Sequence, residues 1–330
     1  MDISVIIVNY NTKDLLLECV DSVYSSLGTK EGEGGEKGGP SLDVELWVVD
    51  NGSTDGSMAA LKKKYPKVKR IENKGNVGFA RANNQALIRG AGRYAVLLNS
   101  DTIVPKGQLD KLVAFMDDNP KVGILGPQLL NKDGSKQNSI ANYPTLLTEL
   151  FNKSLLRRLF PEQFPGKEHE ISEPIEVDSV IGACMVVRNK ATRDAGLFDD
   201  GFFFFFEETD WCRRMRFHDW KVMHHPGINI YHLQGATAKS VNTRARVEYW
   251  LSRYGYFKRH ASKMDYIMLV FGLIVKLVFN IAGALVMSVL SFFTSKKARG
   301  RLFLNLHLLS WHLAGCPALW GLRGRSRGKK

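Results

Sequence analysis

The segment that most constrains the fold of this chain is Tyr94–Asp101, an unbroken apolar run of strand length that ends in Asn99-Ser100-Asp101. A strand without polar alternation is typical of a parallel sheet covered on both faces. In open α/β sheets, ligands bind outside the carboxyl ends of the strands. Asp101 is therefore predicted to face a ligand crevice, where a carboxylate suits Mg²⁺ or Mn²⁺ held against phosphate oxygens. The alternative for an aspartate at a strand end is a turn former or a helix cap.

Strands and helices alternate through the first hundred residues. The sequence predicts strands over 3–8, 44–49 and 68–72, separated by helices that begin near residue 12, cover 58–65 and end near residue 89. This alternation, with short loops, is typical of a doubly wound α/β fold. Residues 28–41 are rich in Gly, Glu and Lys and predict a surface loop.

The middle of the chain is less regular. It predicts a helix over 107–118, an insertion without a clear period over 140–175, a strand over 177–188, a helix over 207–218 and a strand within 222–233.

Further polar residues follow strand ends. Asp50 ends the second strand at the predicted ligand edge, where an acid can accept hydrogen bonds from a base or a ribose hydroxyl. Gly78 lies where the backbone can approach a ligand closely. Arg81 and Asn84, on the helix that follows, are predicted to face a phosphate or a sugar, because helix N-termini favour anions.

Five consecutive phenylalanines run directly into the acidic segment Glu207-Glu208-Thr209-Asp210. Carboxylates beside an apolar wall tend to have a raised pKa and suit general-base chemistry. The alternative is an acidic helix N-terminus that the helix dipole stabilises. That alternative fits Asp210 and Glu207 but leaves the apolar run unexplained.

The positive charge of the chain is confined to its C-terminal part. Of the 46 Lys and Arg residues, 14 follow residue 250, against one of the 33 acids, so the last 80 residues carry the whole net charge of +13. The same part contains the longest apolar runs, 266–293 and 302–322. Basic and apolar character together indicate an anionic membrane lipid as partner and no nucleic acid. We expect helices that lie in, or dip into, the cytoplasmic leaflet of the membrane. The alternatives are a span over 266–293 and a soluble helical extension.

Four widely spaced cysteines contain no CxxC pair, which argues against a zinc site or a disulfide framework and fits reduced cytosolic thiols. The chain opens on a strand without a basic segment before it, so no signal peptide is predicted. We expect the catalytic part to stay in the cytoplasm.

Together, these segments resemble family 2 inverting glycosyltransferases of the GT-A fold, and especially their bacterial rhamnosyltransferase-like branch. The matching segments fall within residues 1–240 and are Val5–Asn11, Val48–Gly56, Asn76–Ala80 with Asn83-Asn84, Leu97–Asp101, Gly182–Met185, Glu207–Asp210 and His232. The chain departs from the family pattern twice. Asn99 replaces the first acid of the DxD motif, and Glu208 replaces the aspartate of the usual Glu-Asp pair.

The resemblance implies a role for each segment. Asp50 would hold the base or ribose, Asp101 would bind the metal, and His232 would add a metal ligand. Glu208 would be the catalytic base, with Glu207 and Asp210 beside it in the catalytic segment. The implied nucleotide-sugar-binding residues are Asn9, Asn11, Asp50, Asn51, Asn76, Gly78, Phe79, Arg81, Asn84, Asn99, Ser100 and Asp101.

The resemblance also implies the architecture, a GT-A-type doubly wound mixed α/β sheet. A Rossmann-like nucleotide-sugar-binding half would cover 1–104 and an acceptor-binding half 105–250, followed by a helical membrane-association region over 251–330.

The implied reaction is inverting transfer of a sugar from a nucleotide-diphosphate donor to a hydroxyl of a lipid-linked or cell-envelope glycan. The cofactor would be Mn²⁺ or Mg²⁺, the branch suggests dTDP-rhamnose as donor, and a polyprenyl-linked glycan would be the acceptor. The expected location is the cytoplasmic face of the plasma membrane. The alternatives are a non-catalytic, membrane-tethered sugar-nucleotide binder, against which Asp101, Glu208 and His232 argue, and a nucleotidyltransferase. A nucleotidyltransferase is not supported, because the sequence after the first predicted strand contains no Gly-rich, basic phosphate loop.

Overall fold

The computed structural model describes residues 1–27, 42–160, 171–233 and 243–325. The strands are β1 Ile3–Asn9, β2 Val44–Asp50, β3 Lys69–Glu72, β4 Tyr94–Asn99, β5 Thr102–Ile103, β6 Val122–Leu130, β7 Ile140–Ala141, β8 Ile175–Glu176, β9 Ser179–Val180, β10 Cys184–Arg188 and β11 Lys221–His232. The helices are α1 Lys13–Ser26, α2 Ser57–Lys64, α3 Phe79–Leu87, α4 Gln108–Asp118, α5 Leu146–Leu150, α6 Lys153–Leu159, α7 Asn189–Ala195, α8 Glu207–Phe217, α9 Thr243–His260, α10 Lys263–Leu290 and α11 Lys296–Leu313. Two 3₁₀ turns follow at Ala318–Trp320 and Leu322–Arg325. The loop predicted over 28–41 lies outside the described residues.

The main sheet is mixed, with the strand order β3-β2-β1-β4-β10-β6-β11-β5 and with β8 paired to β11. β1 pairs in parallel with β2 and with β4, while β10 runs antiparallel to both β4 and β6. β6 and β11 are parallel again. The predicted doubly wound mixed α/β sheet is confirmed.

Both faces of the sheet are covered, which explains why its strands lack polar alternation. On β1, Ile3, Val5 and Ile7 pack into one buried cluster with the apolar face of α1. Ile6 points to the other face and packs into a second cluster with residues of α3 and α8. Burying one such side chain fully contributes roughly 1.5–3 kcal/mol to folding. The helices are therefore held on both faces by alternate residues of the same strands.

The register of the parallel strands brings their polar ends together. Asn9, at the end of β1, pairs with Asp50 at the end of β2. On the other side of β1, Val8 pairs with Asn99 at the end of β4. Since Asn99 is followed directly by Ser100-Asp101, these three strands deliver their polar residues to one sheet edge.

The single strand predicted over 177–188 is wrong. The chain instead changes partner in this region: β8 pairs with β11, β9 with β7, and β10 with β4 and β6. Asp178, between β8 and β9, accepts hydrogen bonds from the Tyr143 backbone N–H (3.0 Å) and from Arg216 (2.8 Å). These bonds fix a turn where the apolar sequence predicts continuous pairing.

The chain groups into two compact units. The first comprises Met1–Tyr143, Glu170–Phe203 and Glu207–Lys239, and the second comprises Pro144–His169, Phe204–Phe206 and Ser240–Lys330. The predicted domain boundary at residue 250 falls inside α9, in the second unit.

In the second unit, α10 is long and apolar enough to cross a membrane, with a mean hydropathy of 2.3 over its most apolar window. Among the described residues it is the one helix that meets this criterion, which rests on length and composition alone. Leu269, Leu273 and Leu277 form its buried stripe, while Phe271 and Phe279 are exposed. α10 packs on α11 and on α5, where the Leu150 side chain lies 2.7 Å from the place that a Cβ would take at Gly272.

Candidate active site

A chain of hydrogen bonds links the ends of β1, β2 and β4. The Asn9 amide donates to Asp50 Oδ1 (2.8 Å) and to Ser53 Oγ (3.0 Å). Thr12 Oγ1 donates to Asn9 Oδ1 (2.7 Å) and lies 2.8 Å from Ser100 Oγ. Thr12 thus connects the Asp50 end to the Asp101 segment. The sequence did not single out Thr12, because nothing local distinguishes it from an ordinary residue before a helix.

The Asp50 carboxylate is buried and shapes the turn after β2. Its Oδ2 accepts hydrogen bonds from the backbone N–H groups of Gly52 (3.1 Å) and Ser53 (2.9 Å). Asn11 closes the same region, since its Oδ1 accepts from the Thr54 backbone N–H at 2.8 Å. The structure therefore gives Asp50 and Asn11 a turn-forming task besides the ligand contacts predicted for them.

Asp101 and His232 lie side by side because β5 pairs antiparallel with the end of β11. His232 lies opposite Thr102 in that ladder, and the Leu233 backbone N–H donates to the Asp101 carbonyl (2.9 Å). His232 Nε2 is 3.3 Å from Asp101 Oδ1, and both side chains are largely buried. This pairing, between residues far apart in sequence, is the one that the family pattern predicts.

The Asp101–His232 pair fits two neighbouring ligands of one cation. An octahedral Mg²⁺ with ligands at about 2.0–2.1 Å places adjacent ligand atoms about 3 Å apart. The described residues contain no group of three or more His, Cys, Asp or Glu side chains that could hold a metal ion. A cation here would therefore take its remaining ligands from elsewhere, and phosphate oxygens and water are the usual source.

Glu208, in the first turn of α8, is brought to the same sheet edge by β10. The Asn99 backbone N–H donates to the Ala183 carbonyl at 2.9 Å, at the start of the β4–β10 pairing. The neighbouring Gly182 packs on Glu208, whose side-chain atoms would lie 3.7 Å from a Cβ at that position. The strand ladder thus ties the residues before Asp101 to the residue beneath Glu208.

Burial raises the pKa of Glu208, although backbone N–H groups of Glu208, Gly182 and Thr209 oppose the shift. A carboxylate with a raised pKa is a stronger base, which is the property that a general base needs. Glu207 is buried beside it.

Asp210 has a structural partner. Its Oδ2 accepts from Arg214 Nε at 2.8 Å, one helical turn along α8, and Asp210 is fully buried. Arg214 also donates to the carbonyls of Ala195 and Leu197. Asp210 was predicted to lie in the catalytic segment. In the structure it holds Arg214, which anchors α8 to the end of α7 and the residues after it.

The Asn76–Asn84 segment contacts the chain itself where the sequence predicted a ligand. Gly78 has φ +94° and ψ 166°, and a Cβ there would lie 2.7 Å from the Phe203 carbonyl oxygen. The Phe79 backbone N–H donates to that same oxygen (2.8 Å). Asn76 Oδ1 accepts from the Gly78 N–H (2.9 Å), and the Asn51 amide donates to the Gly78 carbonyl (3.3 Å). The close backbone approach expected at Gly78 is therefore to Phe203.

Two further residues of this segment hold the same stretch. Asn84 donates to the Phe198 carbonyl and to Asp200 Oδ1, both at 2.8 Å, and accepts from the Phe198 N–H at 3.1 Å. Arg81 Nε lies 3.2 Å from Asp200 Oδ2. We call Asn76–Asn84 the clamp, because it fixes residues 198–203, which lead towards α8. We expected Arg81 and Asn84 to face a phosphate or a sugar, but in the structure both side chains contact residues 198–200 of the chain itself.

A comparison with protein families matches the part of the chain that contains these strand ends. The model of glycosyl transferase family 2 matches residues 4–196, more than half of the chain. The chain belongs to glycosyl transferase family 2. The match includes β1, β2, β4 and the Asp101 segment, so the family recognised from the sequence is confirmed.

Curated relatives agree with the predicted branch of family 2. The chain is 28% identical over 204 residues to the N-acetylglucosaminyl-diphospho-decaprenol L-rhamnosyltransferase of Mycobacterium tuberculosis, covering 57% of this chain and 66% of that protein. It is 28% identical over 220 residues to the low-salt glycan biosynthesis hexosyltransferase Agl10 of Haloferax volcanii, covering 65% and 62%. The chain thus spans just under two thirds of the length of these relatives.

Solved structures share the GT-A fold. The mannosyltransferase PcManGT of Pyrobaculum calidifontis, in complex with GDP-Man and Mn²⁺, aligns with a TM-score of 0.53 and 16% identity, over 96% of this chain and 87% of that one. GalNAc-T7 with UDP, GalNAc and Mn²⁺ aligns with a TM-score of 0.53 and 17% identity, over 78% and 50%. At these identities the likeness concerns the fold alone.

Proposed function

We propose that this family 2 protein is an inverting glycosyltransferase that moves a sugar from a nucleotide-diphosphate donor to a hydroxyl of a lipid-linked glycan. The observation that carries the proposal is the arrangement at one sheet edge: the Asp101–His232 pair and, through the β4–β10 ladder, Glu208. The name of the mycobacterial relative supports a polyprenyl-linked acceptor and a rhamnose donor such as dTDP-rhamnose.

In this proposal Asp101 and His232 hold a divalent cation, Mn²⁺ or Mg²⁺. When bound, such a cation offsets the charge that develops on the leaving diphosphate. The Mn²⁺ named with two structures of the same fold supports this choice.

Glu208 accepts the proton of the acceptor hydroxyl. The acceptor oxygen forms a bond to the anomeric carbon while the bond from that carbon to the diphosphate breaks on the opposite face, so the configuration inverts. The surrounding protein reduces the solvation of the Glu208 carboxylate and so strengthens it as a base. Because Asp210 is occupied by Arg214, we assign the base to Glu208.

We further propose that α10 and α11 attach the protein to the cytoplasmic face of the membrane, with anionic lipid as the partner. The exposed apolar side chains of α10 would enter the lipid. The basic residues Lys296, Lys297 and Arg299, in the first turn of α11, would meet lipid headgroups. A loop of five residues joins the two helices, and such short loops join antiparallel neighbours. The hairpin favours an in-plane anchor, because α11, which carries these basic residues in its first turn, packs along α10.

The deciding experiment uses the purified full chain in lipid nanodiscs with Mn²⁺, a polyprenyl-diphosphate-linked N-acetylglucosamine and a panel of nucleotide sugars. We expect one donor to be consumed, with a glycosylated lipid formed whose new linkage has the inverted anomeric configuration by NMR. The Glu208→Gln variant is the control for contaminating activity. Donor binding without any product would instead support the sugar-nucleotide binder.

A further inference from the structure

The side of the His232 ring that faces away from Asp101 contacts a residue which neither the sequence nor the family pattern assigned to the site. His232 Nδ1 lies 3.1 Å from Oε1 of Gln137. Gln137 belongs to the turn between β6 and β7, and β6 is the parallel neighbour of β11. The contact therefore joins the turn after β6 to the end of β11, and it holds the imidazole at Nδ1, the nitrogen that does not face Asp101.

The surroundings of Gln137 determine which way its amide points. Its Nε2 lies within hydrogen-bond distance of three acceptors: the Leu130 carbonyl, the His232 carbonyl and Asn131 Oδ1. If the amide were flipped, its oxygen would face all three of these oxygens without a proton between them. Nε2 must therefore donate on that side, which leaves Oε1 to face His232.

An amide oxygen can only accept a hydrogen bond, so His232 Nδ1 must carry the proton. The lone pair of the neutral ring then lies on Nε2, the atom that faces Asp101 at 3.3 Å. A metal-ligating histidine commonly has its tautomer fixed in this way by a partner of its other ring nitrogen. We infer that Gln137 is a positioning residue that fixes His232 in the Nδ1–H tautomer and presents Nε2 to a divalent cation shared with Asp101. This inference rests on the proposed function, in which the pair holds that cation.

The first test measures Mn²⁺ affinity of the full chain by calorimetry in the presence of dTDP. Gln137→Met has a similar size but lacks the hydrogen bonds, and we expect it to weaken Mn²⁺ binding about 10–100-fold, the usual effect of losing such a partner. Ser135→Ala is the matched control: it removes side-chain hydrogen bonds to Asn131 and Asp133 in the same turn but leaves His232 untouched. We expect its affinity to equal that of the wild type.

His232→Ala separates the two levels of the argument. If His232→Ala weakens Mn²⁺ binding while Gln137→Met does not, the role of Gln137 is refuted and the metal site stands. If His232→Ala itself leaves the affinity unchanged, the proposed metal pair is refuted. If Ser135→Ala weakens binding as much as Gln137→Met, the effect belongs to the turn and overturns the specific role of Gln137.

The second test needs no metal and is read on the wild type, with one variant used only to assign the signal. Histidine-selective ¹⁵N labelling of the wild type at neutral pH distinguishes a protonated Nδ1 from a protonated Nε2, and the His232 signal is assigned by its loss in His232→Gln. We expect His232 to show Nδ1 protonated. A neutral ring with the proton on Nε2 would overturn the inference directly, whatever the behaviour of the Gln137 variant.

Discussion

At the scale of single residues, the candidate site depends on groups whose chemistry is set by contacts from other strands. Asp101 ends an apolar strand, yet its partner His232 arrives through the antiparallel β5–β11 pairing. Desolvation by the surrounding protein raises the pKa of Glu208, and Gly182, two residues before β10, lies against its side chain. The residue type sets the chemistry that each group is capable of. Contacts from other elements set its pKa and its partner in the folded protein.

Asp101→Ala is expected to abolish Mn²⁺-dependent donor binding. The change removes the carboxylate that, with His232 at 3.3 Å, forms the proposed metal pair. Calorimetry with dTDP-rhamnose, with and without Mn²⁺, measures the effect. Wild-type donor affinity in the variant with Mn²⁺ present would contradict the assignment.

Glu208→Gln is expected to leave donor binding intact and to lower turnover by roughly 10²–10⁴, the contribution of one general base. The matched control is Glu207→Gln, its neighbour on the same helix turn. Turnover assays at saturating donor compare the two variants. A much larger loss in Glu207→Gln than in Glu208→Gln would identify the other carboxylate as the base.

The raised pKa of Glu208 also predicts the direction of the pH dependence. A base must be deprotonated to act, so kcat/KM should fall on acidification at a higher pH than an ordinary glutamate, with its pKa of 4.5, would give. A pH–rate profile of the wild type tests this. An acidic limb at or below the ordinary glutamate range would argue against Glu208 as the base.

At the scale of elements, α3 and the loop before it fix the stretch 198–203, which leads to the start of α8. The clamp holds residues 198–203 by hydrogen bonds from Phe79 and Asn84 and by the close approach of Gly78. After that stretch, Phe205 and Phe206 adopt left-handed φ values of +73° and +67° directly before α8. Such conformations cost about 1–3 kcal/mol each and persist only where the surroundings enforce them.

Gly78→Ala is expected to destabilise the protein by roughly 2–4 kcal/mol, because a Cβ would clash with the Phe203 backbone in a conformation that only glycine adopts readily. Gly107→Ala is the matched control: Gly107 also precedes a helix with positive φ, but its Cβ would meet no atom within 4 Å. That control should cost only about 1–2 kcal/mol. Denaturant unfolding compares the two, and equal losses would show that the Phe203 contact contributes nothing.

At the scale of the whole molecule, acid stability and the proposed membrane attachment depend on different parts of the chain. Burial would raise the pKa of Glu45, but hydrogen bonds from Lys69, Ser4 and the Ala91 N–H outweigh it and lower the pKa to about 2. This buried carboxylate joins β1, β2, β3 and the loop before β4.

The folded pKa of Glu45 lies below its ordinary value of 4.5, so its contribution is fully present above about pH 4.5 and is lost as the pH falls towards 2. The linkage amounts to about 3 kcal/mol. Unfolding of the wild type and of Glu45→Gln between pH 2 and 7 tests this: the wild type should lose more stability on acidification. If the free energy of unfolding of the two proteins falls equally with pH, Glu45 does not contribute to the acid sensitivity.

The membrane proposal is tested on the full chain bound to vesicles that contain anionic lipid. An in-plane anchor with basic headgroup contacts should be released in part by high salt and fully by alkaline carbonate, since each Lys or Arg near the surface contributes about 1 kcal/mol. Vesicles without anionic lipid are the control and should bind less protein. Resistance to both washes would show that α10 spans the bilayer.

The sequence by itself determined the fold class and the sheet edge at which the candidate site lies. Unbroken apolar runs follow from burial on both faces, and polar residues at strand ends follow from the fixed direction of parallel strands, so both signals are local. The family motifs added the candidate roles of Asp101, Glu208 and His232. α1, α4 and α8 were predicted within a few residues of their observed bounds.

Only the tertiary structure decided which residues serve each other. The partner of Gly78 is Phe203, the His232 ring contacts Gln137, and Thr12 connects Asn9 to Ser100. The predicted strand over 177–188 divides into β9, which pairs with β7, and β10, which pairs with β4 and β6. These contacts join segments far apart in the sequence, and strand pairing sets them. A residue pattern records that a position needs a small, apolar or polar side chain, but the atom that imposes this need lies on another element.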